Sequence, residues 1–326
     1  MPFISNPDLP YVPLPFDWEG TPVNEKGRFL NQEFPFNDSL KLLFKWQLQK
    51  NPQKVEKQND KWRLNQAEHC DFLKHDKDVC VWLGHASFFI RLSGITMLID
   101  PLFFDSRFLR RLSPLPVAPE DFRQLDYILI SHDHRDHCDE KTIRFLAENN
   151  PDTTWLSGLN MEKLLFSFTK SSRIQQAGWY QQYNTQPELK ITYMPSRHWG
   201  RRLIGDTNLR LWGGFMIQCA GKTIYFCGDS GYGSHFKTAG QIFHEIDYCL
   251  VGIGAYKPEF IMAQSHTSPA DAFRAFQDTG ASYMIPMHYG TFDLADEPIG
   301  DPLRVLKHLD KTKGKVKYPD VGVSFL

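Results

Sequence analysis

The sequence predicts an α/β protein folded as a four-layer αββα sandwich built from two similar halves. Short apolar strands separated by glycine-containing turns fill the chain from Val79 onward, which is typical of sheet-forming segments. The order hairpin, acidic strand end, strand, polar loop, helix and strand occurs twice, which indicates a duplicated unit. Two such units bury their apolar faces by packing sheet against sheet, so the strand-end loops of both halves would face one cleft.

The first repeat begins with a predicted hairpin. Apolar segments at 87–92 and 95–99 flank Ser93-Gly94, a dipeptide that favours a tight turn, and the second segment ends at Asp100. A strand, a helix and a strand are then predicted at 125–130, 140–149 and 154–156.

The second repeat has the same order of elements. Segments at 209–220 and 223–227 flank Gly221, and the second segment ends beside Asp229. The strand, helix and strand that follow are predicted at 246–251, 269–279 and 283–287.

Residues 1–78 differ from the rest of the chain because they are polar, contain prolines and have little hydrophobic periodicity. We therefore expect an amino-terminal extension at 1–78, packed on a main domain at 79–326. Its helical candidate spans 38–49, with Asp38 or Ser39 as the N-cap and its apolar side chains on one face. That face either docks on the main domain or forms an apolar surface that helps to grip a lipid.

Charge and composition limit the classes of function. Lys plus Arg total 37 against 38 for Asp plus Glu, so no global positive field exists to hold a nucleic acid, and none is expected as a partner. We expect no signal peptide at the amino terminus, and no segment approaches the roughly 18 apolar residues of a membrane span. The six cysteines form no C-x-x-C pair, which favours reduced thiols in a cytoplasmic protein.

The residues after the strand at 125–130 predict a metal site, because imidazole and carboxylate groups are ligands of transition metals. The candidates are four residues of one loop and three residues at later strand ends: His132, His134, Asp136 and His137, then His198, Asp229 and His288. One ion would take His132, His134 and His198. The other would take Asp136, His137 and His288, with Asp229 as a bridge between the two ions.

Nitrogen and oxygen ligands suit two Zn²⁺ ions first, with Mn²⁺ or Fe²⁺ as alternatives. Zinc lowers the pKa of a bound water to roughly 7, so a hydrolase would need no Ser or Cys nucleophile. Asp100, at a strand end of the first half, is a candidate to hold the free N–H of a ligand histidine, and His85 is a second candidate beside the site. For both residues the alternative is an ordinary polar group of the core.

The segment after Asp100 mixes guanidinium groups with large apolar side chains. Arg107, Arg110 and Arg111 alternate with phenylalanines and Leu109. Such a loop could cover the cleft, with arginine meeting phosphate and the apolar groups meeting acyl chains. The alternative is a surface loop that its aromatic side chains pin to the core.

These residues together resemble a known family. The H-x-H-x-D-H motif at 132–137, with the later His198, Asp229 and His288, resembles the metallo-β-lactamase superfamily, whose fold is the αββα sandwich. Flanking strings resemble more closely the N-acyl-phosphatidylethanolamine-hydrolysing phospholipase D group, from about residue 28 nearly to the carboxyl end. The strings are Trp82-Leu83-Gly84-His85-Ala86, Asp100-Pro101, Pro195-Ser196-Arg197-His198-Trp199, Gly228-Asp229-Ser230-Gly231-Tyr232, Gly254-Ala255-Tyr256 and Met287-His288-Tyr289-Gly290-Thr291-Phe292.

The resemblance implies a dinuclear zinc phosphodiesterase of the phospholipase D type, acting on N-acyl phosphatidylethanolamine or a related phospholipid. It implies that His266 lies near the substrate. We also expect Asp136 to orient the nucleophile, Asp229 to hold the ions together and Tyr256 to contact the substrate. Ser265 departs from the family pattern, which has an amide side chain at that position. The resemblance leaves open a homodimer and a peripheral contact with a membrane.

Two other functions fit the same residues. A lactonase, including one that acts on sugar-phosphate lactones, would direct the same nucleophile at a carbonyl carbon. A metal-binding scaffold without turnover would not require all seven ligand-type residues. Two-iron oxidoreductases of this fold typically have Glu in place of His134, so His134 favours hydrolysis.

Overall fold

The computed structural model describes residues 2–36, 40–106 and 109–326. The predicted N-cap at Asp38 or Ser39 and the predicted substrate contact Arg107 lie outside these ranges, as does Phe108. Within them, a six-stranded and a five-stranded sheet pack face to face, and helices cover their outer surfaces. The predicted four-layer αββα sandwich is confirmed.

The amino-terminal segment contains a small strand pair and two helices. Their bounds are β1 Phe3–Ile4, β2 Thr21–Pro22, α1 Leu40–Leu48 and α2 Lys54–Asn59. The helix predicted at 38–49 corresponds to α1. The Gln181 amide donates to the carbonyl oxygens of Asn6 and Leu9, and the Trp46 indole donates to Asp296 over 3.0 Å. Both ends of this segment are therefore held against the rest of the chain by polar contacts.

The six-stranded sheet has the order β3-β4-β5-β6-β7-β8. Its strands are β3 Val79–Trp82, β4 Phe88–Leu92, β5 Ile95–Ile99, β6 Tyr127–Ile130, β7 Thr154–Gly158 and β8 Ile174–Ala177. The first three are antiparallel, and β5 to β8 run parallel. Ser93 and Gly94 have φ of 50° and 79° in the β4–β5 turn, the left-handed pair that a two-residue hairpin requires.

The five-stranded sheet has the order β13-β12-β11-β10-β9. Its strands are β9 Lys190–Met194, β10 Gly214–Cys219, β11 Lys222–Phe226, β12 Tyr248–Gly252 and β13 Tyr283–Met287. Ala220 and Gly221 repeat the left-handed turn of the first hairpin, with φ of 52° and 68°. The hairpins β4–β5 and β10–β11 are each followed by parallel strands, as the predicted duplication requires.

Two hydrophobic clusters fill the spaces between the four layers. One lies between the sheets and extends to the second-half helices, and the other lies between the first sheet and its helices. Along β6, Tyr127 and Leu129 belong to the cluster between the sheets, whereas Ile128 and Ile130 face the helices of the first half. This alternation is the period of two expected for a strand with both faces buried. The first-half helices are α3 Glu140–Asn149 and α4 Glu162–Thr169, and the second-half helices are α5 His235–Phe243, α6 Glu259–Met262, α7 Pro269–Thr279 and α8 Asp301–Leu309. Among the described residues, no helix has the length and apolar character needed to cross a bilayer.

Candidate metal centre

The candidate site lies where strands of both sheets end. The loop after β6 carries four of the predicted ligands, and β9, β11 and β13 end close to the other three: His132, His134, Asp136 and His137, then His198, Asp229 and His288. The structure brings all seven into one cleft between the sheets. Ligands delivered by strand ends are positioned by the sheets rather than by a mobile loop, because the β ladders fix where each strand stops.

Three of the histidines point ring nitrogens at one another. His134 Nδ1 lies 3.0 Å from His132 Nε2 and 3.1 Å from His198 Nε2. The Nδ1 atom of His198 lies 2.9 Å from the carbonyl oxygen of Ser265, so it carries the hydrogen and leaves Nε2 as a free lone pair. Burial and the neighbouring imidazoles hold the pKa of His132 and His198 well below 6.5, so both rings are neutral at pH 7.

A second group lies around Asp229. The Asp229 Oδ2 atom is 3.1 Å from His137 Nε2, 3.1 Å from His288 Nε2 and 4.0 Å from His198 Nε2. Asp136 Oδ2 lies 3.5 Å from His137 Nε2 and 3.6 Å from His288 Nε2. Asp229 therefore lies between two ligand groups, in the position of a bridge. They are the three-histidine group (His132, His134 and His198) and the Asp136 group (Asp136, His137 and His288).

These spacings fit divalent metal ions. Two atoms bound to one tetrahedral zinc ion at about 2.1 Å lie about 3.4 Å apart, and the distances above run from 3.0 to 4.0 Å. Among the described residues, the buried atoms His137 Nε2, His288 Nε2 and Asp229 Oδ1 make no hydrogen bond of normal geometry. Polar atoms buried without partners are costly unless a cation satisfies them.

The negative charge of the cleft also favours a bound cation. Burial alone would favour a neutral His137, but the carboxylates of Asp229, Asp136 and Asp100 raise the pKa of His137 well above 6.5. Without an ion, the buried carboxylates thus recruit a proton onto a ring that accepts a metal only when neutral. A metal cation between Asp136 and Asp229 would supply the positive charge that these carboxylates require. The residues present therefore fit the divalent metal ions that the sequence predicted.

His85 lies against Asp136. Its Nε2 atom is 3.0 Å from Asp136 Oδ2, its ring centroid is 4.1 Å from that of His288, and the side chain is buried. Burial, then the charge of His288, lowers the pKa of His85 to about 3. The neutral ring donates its Nε2 hydrogen to the carboxylate and holds Asp136 in place, which is the supporting position predicted for His85.

His266 lies on the open side of the cleft. Its ring centroid is 5.3 Å from those of both His198 and His288, and its Nδ1 atom is 3.8 Å from Asp229 Oδ2. Burial lowers the pKa of His266 to about 4, so the ring is neutral at pH 7. At 3.8 Å the contact with Asp229 is longer than a hydrogen bond, which leaves the ring able to meet a substrate.

A cavity of about 860 Å³ opens onto these residues. Its apolar wall consists of Phe36, Trp46, Leu109, Trp199, Ile261, Met262 and Leu294. Leu109 belongs to the loop that the sequence placed over the cleft, whereas the other six residues were not assigned this role from the sequence. The Trp199 ring stacks on Phe36 with centroids 4.8 Å apart and lies 4.5 Å from the His134 ring. The sequence signal available for this wall was Trp199, which directly follows His198; Phe36 lies before the helix predicted at 38–49, and Trp46 lies within that helix.

The predicted arginine contacts require correction. Arg111 turns inward and donates to the carbonyl oxygens of Leu83, Leu102 and Ser113, with distances of 2.6 to 3.1 Å. Three backbone acceptors therefore engage its guanidinium group, and Arg111 itself holds the loop to the core, a role that the sequence-based alternative gave to the aromatic side chains. Arg110 is exposed and does not line the cavity.

Tyr256 also has a different role from the predicted one. Its hydroxyl donates to Asp301, which also accepts from Lys257 over 3.1 Å. Ala255, not Tyr256, lines the cavity. The tyrosine therefore anchors the loop after β12 to α8, because its single hydroxyl hydrogen already has a carboxylate acceptor.

Comparisons with known proteins agree with this geometry. A family model described as "Beta-lactamase superfamily domain" matches residues 96–289. The chain is 28% identical over 257 residues to N-acyl-phosphatidylethanolamine-hydrolyzing phospholipase D 1 of Caenorhabditis elegans, covering 74% of this chain and 71% of that protein. It is 27% identical over 255 residues to the mitochondrial N-acyl-phosphatidylethanolamine-hydrolyzing phospholipase D of Saccharomyces cerevisiae, covering 74% of this chain and 54% of that protein.

A solved structure matches the fold. Igni18, a metallo hydrolase of the archaeon Ignicoccus hospitalis, aligns with a TM-score of 0.57 at 18% identity, over 75% of this chain and 96% of that one. The chain spans about half the length of the yeast relative. The family model begins within β5 and extends past β13, so it includes all seven candidate ligands.

Proposed function

Because the chain belongs to the beta-lactamase superfamily and is a metal-dependent hydrolase, we propose that it is a dinuclear zinc phosphodiesterase of the phospholipase D type. Its substrate would be N-acyl phosphatidylethanolamine or a related phospholipid. The products would be phosphatidic acid and the headgroup alcohol. The names of the worm and yeast relatives state this substrate for those proteins, which supports the same class here.

The observation that carries the proposal is the apolar wall beside the histidine group. A phosphodiester held at the Asp229 end of the cavity would place its hydrocarbon part against Trp199, Phe36 and Trp46. A water-soluble sugar-phosphate lactone has no hydrocarbon chain to pack on these rings. The rings would then contribute no hydrophobic binding energy. The cavity therefore favours a lipid over a sugar-phosphate lactone.

Each side chain of the cleft has a role in this reaction. His132, His134 and His198 would hold one ion, and Asp136, His137 and His288 would hold the other, with Asp229 shared. The ions would act as Lewis acids that stabilise charge on the phosphate and increase the acidity of water. His85 fixes the Asp136 carboxylate, and His266, neutral at pH 7, donates a ring N–H to a substrate oxygen at the cavity side.

The cavity rim also supports a peripheral contact with a lipid surface. Leu203 and Ile204 are 67% and 104% exposed, and Arg201 and Arg202 beside them line the cavity. The loop is well fixed, because Asp206 Oδ1 accepts from the backbone N–H groups of Arg202 and Leu203. The Arg202 guanidinium group donates to the Asp133 and Cys138 carbonyl oxygens, whereas Arg201 is exposed. Two aliphatic side chains held out in water next to the exposed Arg201 suit an anionic bilayer surface.

The experiment is metal analysis followed by turnover on three substrates. Purified protein loaded with Zn²⁺ is assayed on N-acyl phosphatidylethanolamine, a water-soluble aryl phosphodiester and a lactone. We expect release of phosphatidic acid from the lipid and a turnover at least a hundredfold lower for Asp136→Asn, because that carboxylate orients the reacting groups. Glu140→Gln, which alters a cavity carboxylate paired with Arg144, is the matched control and should keep near-normal turnover.

Two results would count against the proposal. Hydrolysis confined to the lactone would make the protein a lactonase. Full metal occupancy without turnover of any substrate would make it a scaffold.

A further inference from the structure

One buried carboxylate touches both metal-ligand groups. The Asp100 side chain is fully buried, and its Oδ2 atom lies 2.7 Å from His137 Nδ1. The same Oδ2 atom accepts a hydrogen bond from the Ser131 hydroxyl, whose oxygen lies 2.9 Å from His132 Nδ1. Asp100 thus reaches His137 of the Asp136 group directly and His132 of the three-histidine group through Ser131.

The direction of each hydrogen bond follows from the donors available. A carboxylate only accepts, so the Ser131 O–H and the His137 Nδ1–H both donate to Asp100. The serine has one hydrogen, so its oxygen can then only accept from His132, whose Nδ1 must be protonated. In both histidines the Nε2 lone pair is therefore left for an ion, as required of a metal ligand.

We propose that Ser131 is a positioning residue for one metal site: the single Asp100 carboxylate orients His137 directly and His132 through the Ser131 hydroxyl. Asp100 acts on both sites, whereas the Ser131 hydroxyl acts on the three-histidine site alone. The inference rests on the proposed two-ion centre but not on the choice of substrate. It is therefore tested by metal affinity, which remains measurable if the phospholipid assignment fails.

The role of the hydroxyl can be separated from that of the backbone. The Ser131 N–H donates to Asp100 Oδ1 over 2.7 Å, and the Ser131 carbonyl oxygen accepts from the Tyr193 hydroxyl over 2.8 Å. Both contacts are independent of the serine side chain. Ser131→Ala should therefore leave the loop in place and remove only the link between His132 and Asp100.

The experiment is competitive titration of the metal-free protein with Co²⁺ and Zn²⁺ against a chromophoric chelator. We expect Ser131→Ala to weaken one of the two sites roughly 10-fold to 100-fold, the effect of losing the partner of a ligand histidine, and to change the Co²⁺ absorption of that site. Ser131→Thr restores the hydroxyl and should restore the affinity. Ser87→Ala is the matched control, because the Ser87 hydroxyl is buried beside Asp100 but donates to its backbone oxygen.

Two backgrounds assign the affected site. With His288→Ala, which disables the Asp136 group, Ser131→Ala should still weaken the remaining ion. With His134→Ala, which disables the three-histidine group, it should have no effect. Equal weakening in both backgrounds, unchanged affinity in Ser131→Ala, or an equal loss in Ser87→Ala would overturn the inference. If Ser131→Ala does not fold, Ser131→Gly, which also lacks the hydroxyl and adds no metal-binding group, decides between the same outcomes.

Discussion

Three residues at the candidate metal centre have a strained backbone. His85, Asp100 and His288 have φ of 53°, 41° and 58°, a conformation that costs a non-glycine residue about 1 kcal/mol or more. The strained residues hold one another, because His288 N–H donates to the His85 carbonyl oxygen and His85 N–H donates to the Thr291 hydroxyl. Their side chains are thereby directed at the cleft from fixed backbone positions.

His235 makes the stability depend on pH. It is buried, its Nε2 atom lies 3.0 Å from Ser230 Oγ, and burial lowers its pKa to about 3 from 6.5. Below pH 6.5 the unfolded chain takes up this proton and the folded chain does not, so the free energy of unfolding should fall as the pH drops toward 3. The contribution approaches about 1.4 kcal/mol per pH unit.

Urea unfolding of metal-loaded protein between pH 7.5 and pH 5 tests this prediction. Other groups also titrate in that range, so the quantity to compare is the difference in the free energy of unfolding between the natural protein and His235→Gln. That difference should shrink as the pH falls. A difference that is constant across the range would contradict a neutral, buried His235.

At the scale of elements, α7 begins beside the site and has a complete set of end signals. Ser268 Oγ accepts from the Asp271 backbone N–H over 3.1 Å, Pro269 occupies the first turn, and Gly280 ends the helix at φ 67°. Proline at the start and glycine at the end are what helix geometry favours. This is why the helix predicted at 269–279 has the observed bounds.

Removing the cap of α7 should lower stability without altering the chemistry. For Ser268→Ala we expect a loss of about 1 kcal/mol in the free energy of unfolding, with turnover per folded molecule nearly unchanged. Ser268→Asp keeps a capping oxygen and should retain the stability. A Ser268→Ala protein as stable as the natural one, measured by urea unfolding, would mean that the cap contributes nothing here.

Elements with strong local signals were predictable and those shaped by distant contacts were not. The hairpin turns at Ser93-Gly94 and at Gly221 were identified because glycine tolerates positive φ. β8 was missed, since Gln175 and Gln176 break its apolar pattern. Gln176 is instead held by Asn6, whose side chain donates to the Gln176 carbonyl oxygen over 2.8 Å.

The ligand set could be anticipated from residue chemistry, but the direction of a side chain could not. Histidine and aspartate at strand ends have few roles other than binding or catalysis, so their clustering was informative. Arg111 and Tyr256 have chemistry suited equally to substrate and to structure. Their partners, the Leu83 carbonyl oxygen and the Asp301 carboxylate, are distant in the chain, and no local pattern predicts such contacts.

At the scale of the whole molecule, metal ions should join the two sheets. Each ligand group combines residues that follow β6 with residues that follow strands of the five-stranded sheet. Removing Zn²⁺ with a chelator should therefore lower the unfolding temperature of the whole protein, by an amount equivalent to about 4 kcal/mol when the free ion had been at 1,000 times its dissociation constant. Calorimetry before and after re-addition of Zn²⁺ measures the effect.

The control for this prediction is Asp229→Asn, which weakens the bridge between the two groups. Chelation should change its unfolding temperature much less. If chelation has no effect on the natural protein, the ions contribute nothing to holding the sheets together.

The exposed rim should bind lipid through Leu203 and Ile204. We expect the double variant Leu203→Ser/Ile204→Ser to lose most of its co-sedimentation with phosphatidylcholine vesicles that contain phosphatidylglycerol, because the aliphatic area that enters the bilayer is removed. Turnover of a water-soluble phosphodiester should be unchanged. Val323→Ser, at a residue 42% exposed beyond the cavity lining, serves as the control, and equal losses in both proteins would contradict a specific rim contact.

The division of ligands between the two sheets also determines when the protein can acquire its ions. A chain is synthesised from its amino end, so the loop with His132 and Asp136 exists before His198, Asp229 and His288 have been made. The three-histidine group is incomplete until His198, which follows β9, has been made, and the Asp136 group cannot close around an ion until β13 has joined its sheet, because His288 follows that strand. Tight retention of metal is therefore a late event in biogenesis, and it marks the molecules whose two halves have met correctly.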